Sequence, residues 1–114
     1  MWVNIVSNDT LDIAVNEIMR GESLEDVAHK YGLSIELLRE FRPVRFAGYF
    51  VLPEVEVKAI LDLLRQTDMH STPLISDNRV DGYYIYHRDL RELDTRPLAR
   101  FRMLRVLRLS LIHI

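Results

Sequence analysis

Residues 21–42 read GESLEDVAHKYGLSIELLREFR, and they decide the fold because they hold two helix signatures joined by a short turn. Ser23 with Asp26 is a variant of the capping box. The hydroxyl accepts from an orphan backbone N–H, and the carboxylate sits where the helix dipole favours negative charge. A helix is predicted from about Leu24, with Val27, Ala28 and Tyr31 at helical spacing and Gly32 as the left-handed residue that closes it. Ser34 opens a second helix whose apolar face is Leu37, Leu38 and Phe41, and Pro43 stops it. Ala28 is small enough for close approach, and Leu33, Leu38 and Phe41 fill the angle between the helices.

Two helices meeting at such a corner form a helix-turn-helix. The stretch resembles the homeodomain-like helix-turn-helix of transposases and related bacterial regulators, on Ala28, Tyr31, Gly32, Leu33, Ser34 and Leu38. The same region is similar to the glycan-binding LysM module, through residues 21–24, Val27-Ala28, residues 31–34, Gly48, Val51, Leu52 and Pro53. LysM needs a strand before Gly21, whereas Leu11, Ala14, Val15 and Ile18 recur at the spacing of an amphipathic helix. That spacing favours the helix-turn-helix, which implies double-stranded DNA as partner.

Outward from this stretch, residues 1–7 (MWVNIVS) are expected to form a short strand or an apolar arm, with Trp2 as a packing residue. A first helix follows at about 11–20. Residues 44–52 (VRFAGYFVL) are rich in aromatic and β-branched residues and read as one strand. Pro53, Glu54 and Glu56 open a helix over about 54–66 with a stripe of Val57, Ile60, Leu61 and Leu64. TPLIS and GYYIYH, flanking residues 77–82 (DNRVDG), predict a β-hairpin. After Pro97, a basic helix is expected with Leu98, Phe101 and Leu104 on one side. Residues 109–114 (LSLIHI) resemble a translated sequencing adapter, which implies that the natural chain continues past about Arg108. The expected fold is mainly α with minor β: a three-helix helix-turn-helix unit at 9–42, then an extension at 43–108 of strand, helix, hairpin and basic helix.

The chain has 114 residues, 48% hydrophobic and 28% charged, enough for a modest core. It has no Cys, which excludes disulfides and thiolate metal sites and makes intracellular residence the easier assumption. Nothing resembles a signal peptide or an apolar run of about 18 residues, so no membrane partner is expected and a cytoplasmic location follows by default. Net charge is −2, with the acidic excess in residues 1–70 and a basic excess after them.

Other motifs are weak. His87-Arg88-Asp89-Leu90 matches the start of a kinase catalytic loop, but Asp94 stands where that loop has Asn, and neither a Gly-rich loop nor the β3 Lys precedes it. Asp77, Asp81 and Gly82 echo a calcium loop, yet Arg79 and Arg88 occupy ligand positions. His29, His70, His87 and His113 show no metal-ligand spacing. No catalytic residue, cofactor or metal is therefore expected.

Within the corner, the DNA-binding residues are expected to be Ser34, Glu36, Arg39 and Arg42, with Arg45 helping at the far end. The expected function is DNA binding in a transposase, phage or regulatory protein. A LysM-like glycan-binding module and a protein-binding helical adaptor are the alternatives.

Overall fold

The computed structural model describes residues 2–87 and 89–111, with backbone alone for 2–9, 90 and 111. The expected packing of the Trp2 side chain and the places of Arg88 and His113 lie outside the described residues. The chain divides into two compact units, 1–54 and 55–114.

In the first unit, α1 (Trp2–Met19) packs on α2 (Leu24–Tyr31), which packs on α3 (Ile35–Arg39). Leu11, Ala14, Val15 and Ile18 are all buried, as helical spacing on one face requires. The helix runs back to Trp2 and absorbs the segment expected as a strand or arm. It also occupies the place before Gly21 where LysM carries a strand. Ser23 caps α2 by accepting from Asp26 N at 3.1 Å, and Gly32 closes the helix in the left-handed region, φ 65°. Leu33 N then reaches back to Ala28 O at 3.0 Å, which satisfies a terminal carbonyl.

The mainly α expectation, with its three-helix helix-turn-helix unit, is corrected by the strands and by the length of α3. Among the described residues, five strands in two sheets make the fold mixed α and β. With five residues, α3 is about 7.5 Å long, much less than a helix that lies along a DNA groove. Its end tightens into i→i−3 bonds, from Glu40 N to Leu37 O and from Phe41 N to Leu38 O. Pro43, without an N–H, then starts a strand. The single strand expected over 44–52 is a hairpin: β1 (Pro43–Phe46) pairs antiparallel with β2 (Phe50–Pro53). The reversal lies at Ala47 and Gly48, both with positive φ. Leu38, Phe41 and Leu52 are core residues of this unit.

The second unit is built on α4 (Glu54–Gln66), whose first residue belongs to the first unit. Its bounds match the expected helix, but the buried face is Glu56, Ala59, Ile60 and Leu63, while Leu61 is half exposed. The buried face thus lies one residue before the expected apolar stripe, because a buried carboxylate occupies it. β3 (Ser71–Ser76) and β4 (Arg79–His87) pair antiparallel around Asp77 and Asn78, both in the left-handed region that a tight hairpin turn demands.

The expected basic helix is replaced by a short 3₁₀ turn (Arg96–Arg100) and by β5 (Val106–Leu111), parallel to β4. Phe101 is buried and stacks on Tyr83, with centroids 5.4 Å apart. Arg105 N donates to Asp81 O at 2.8 Å and leads the chain into the open edge of β4. The alternating, β-compatible residues from Val106 onward complete that pairing, which outweighs the helical spacing of Leu98, Phe101 and Leu104. Leu109 to Leu111 are the last residues of β5; the rest of the adapter-like tail lies outside the described residues. Among the described residues no helix is long and apolar enough to cross a membrane.

Candidate nucleic-acid interface

All four nominated residues lie exposed on the first unit, between the start of α3 and the start of β1. Ser34 precedes α3 in extended backbone, and its hydroxyl makes no capping bond, contrary to the role expected of it. Glu36 and Arg39 are one turn apart on α3, with Oε2 and Nη1 separated by 3.8 Å and both side chains largely in solvent. At that distance and exposure the pair is weak. Arg42 follows α3, and its Nε donates to Glu54 Oε2. The Glu54 hydrogen bond, then its charge, raise the Arg42 pKa further above its ordinary value. The backbone closes the same link, since Glu54 N donates to Arg42 O at 2.9 Å. Arg45 is exposed on β1, opposite Val51.

Arg39, Arg42 and Arg45 therefore present three guanidinium groups at three-residue intervals. The first unit contains five Lys or Arg against nine Asp or Glu, so these three are most of its positive charge. Its remaining cations are Arg20 and Lys30. Lys30 donates to Glu17 Oε1 at 2.9 Å, and Tyr31 OH donates to the other carboxylate oxygen, which ties α2 to α1. Arg20 lines a shallow cleft of about 340 Å³ with Ile13, Asn16, Glu17 and Glu22.

One residue that the sequence reading passed over stands out. Tyr49, at the hairpin tip, is 90% exposed, and neighbouring Phe50 is 42% exposed. Reading 44–52 as one strand concealed it. The signal was Ala47-Gly48, a pair that interrupts the aromatic run where the chain turns back.

The second unit uses its polar groups largely for its own structure. Arg96 holds Asp94 through Nη2 at 2.8 Å, Arg105 Nη2 is 3.2 Å from Asp81 Oδ2, and the Arg108 guanidinium lies 5.2 Å from the Tyr84 ring centre. His87 Nε2 is 3.2 Å from Gln66 O, while Nδ1 is 3.1 Å from Asp89 N. The ring thus braces the end of β4. Asp89 accepts from Arg91 Nε and Arg91 N, and these bonds hold its carboxyl below the ordinary range. A carboxylate so engaged is a loop anchor rather than a poised base. Asp77 serves the β3–β4 turn. Among the described residues no group of three or more His, Asp or Glu could hold a metal ion.

No protein-family model, characterised protein or solved structure matches the chain.

Proposed function

We propose that residues 1–54 bind duplex DNA, chiefly through its phosphates, with Arg39, Arg42 and Arg45 as the charged contacts and Ser34 as a hydroxyl donor. The observation that carries this reading is the set of three exposed arginines, three residues apart in sequence, in a unit that is otherwise acidic. Phosphate contacts need accessible guanidinium groups more than they need a long helix in the major groove. Glu36 and Glu54 act as the counter-ions that phosphate displaces. The reading includes no catalysis or cofactor, and a cytoplasmic location accompanies it.

Fluorescence anisotropy with a mixed-sequence duplex tests it. Three phosphate contacts predict a slope of log K against log salt of about −2.7, or about 40-fold weaker binding at 200 mM than at 50 mM salt. Arg39→Ala should reduce the slope by about one. Absence of binding at low salt, or binding indifferent to salt, sinks the proposal.

A further inference from the structure

Resting on that DNA-binding reading, we infer that Tyr49 stacks on an unpaired base, so that this unit prefers DNA with a locally opened duplex over fully paired DNA. Three features of the β1–β2 hairpin point there. The first is the exposure of Tyr49: at 90%, its ring is barely covered by the protein at all. An aromatic side chain gains most from burial against another flat apolar surface, and a nucleobase offers such a face whatever its identity. In an intact duplex those faces are already stacked on one another, so a ring of this kind is satisfied only where a base is unpaired.

The second feature is how the ring is presented. The strands pair up to Phe46 and Phe50, leaving residues 47–49 as the reversal. Ala47 (φ 55°) and Gly48 (φ 79°) both take left-handed backbone, so the reversal has a defined form. Tyr49 therefore stands on a short, hydrogen-bonded support, so stacking orders the side chain while the backbone beneath it is already set.

The third is the company it keeps. Arg45 lies on β1 one residue before the Phe46–Phe50 pair and is exposed, on the hairpin face opposite to Phe46 and Phe50 because successive strand residues alternate. The hairpin thus carries a cation for the backbone and, at its tip, an aromatic face for a base, the two elements that single-stranded segments require. In this assignment the arginines set affinity, and Tyr49 sets the preference among DNA forms.

The test uses the whole chain and three probes of one sequence: an intact duplex, the same duplex with three central mismatches, and the single strand. Affinities are read by fluorescence anisotropy at 50 mM salt. The mismatched duplex is expected to bind about tenfold tighter than the intact one, the size of effect that one stacked base supplies. Tyr49→Ala should remove the preference while leaving intact-duplex affinity and the circular dichroism spectrum unchanged, and Tyr49→Phe should keep it. Equal affinity for the two duplexes, or a preference that survives Tyr49→Ala, overturns the inference and leaves the DNA-binding reading standing. No binding to any probe overturns both.

Discussion

The Glu56 carboxylate and the Arg79 guanidinium meet at 2.8 Å inside the second unit, with side chains 0% and 3% exposed. Glu56 Oε1 also accepts from Val80 N at 2.8 Å, so one carboxylate joins the first turn of α4 to the first residues of β4. Removing one member of a buried pair strands the other charge and typically costs about 3–5 kcal/mol, while replacing both with apolar residues of like volume is often near neutral. Glu56→Gln should therefore lower urea stability by about 3–5 kcal/mol. The double variant Glu56→Leu, Arg79→Met should be more stable than either single one. A Glu56→Gln protein with the parent midpoint would contradict the pair's importance.

Gly82 faces a different constraint. It sits in β4 opposite Leu74, and a Cβ at this position would lie 2.8 Å from Leu74 Cδ1 and 3.1 Å from Leu74 Cβ. The far methyl can turn aside, but the Leu74 Cβ is fixed to the strand. Gly82→Ala is expected to destabilise by about 1–3 kcal/mol through overpacking. Because alanine keeps the Cβ, adding Leu74→Ala should restore little of that loss, measurable by thermal unfolding of the single and double variants.

Local signals in the sequence carried some elements and misled on others. The Ser23 cap, the Gly32 close and the Asp77-Asn78 reversal involve only neighbouring residues, so propensity and turn chemistry reveal them. Gly82 read as a turn residue because its partner, Leu74, is known only once the strands are paired. Helical spacing alone misplaces the core face of α4, because the partner that makes Glu56 buriable lies 23 residues further on. β5 hid for a similar reason: parallel pairing with β4 is a long-range choice, and residues 96–108 carry helical spacing as well. At the candidate site, the nominated residues were identifiable by type, whereas the Glu54 partner of Arg42 and the exposure of Tyr49 required the fold.

Asp94 gives a pH signature. It accepts from the Arg96 side chain and from Arg96 N at 3.0 Å, and these bonds, aided by the Arg96 charge, hold its pKa down to about 2. An unfolded Asp titrates near 3.9, roughly. Because the folded value is the lower one, the contribution of Asp94 is complete above the unfolded value and fades as pH falls toward and through about 2. Carboxyl NMR should find its midpoint near that value. The stability gap between the parent and Asp94→Asn should be constant from pH 7 to about 5 and shrink below about 4. A midpoint in the ordinary Asp range would show that Arg96 does not hold the carboxylate in solution.

Glu54 sets how available Arg42 is. Their ion pair is the tightest contact among the nominated arginines, with Glu54 only 20% exposed and Arg42 59% exposed. Arg39, by contrast, is held more loosely, 3.8 Å from Glu36. Phosphate binding by Arg42 must therefore displace or share a carboxylate that carries opposing charge. Glu54→Gln removes that charge and retains a side-chain oxygen to accept from Arg42. If Arg42 contacts DNA, this variant should bind duplex more tightly by a few-fold at 50 mM salt, with a salt slope steeper by up to about one contact. Arg42→Ala should cancel the gain, since the freed cation is then absent. Anisotropy titrations of the two single variants and the double one decide the matter: tighter binding that persists without Arg42 would mean that the lost negative charge, not the freed guanidinium, was responsible, and Arg42 would be struck from the interface.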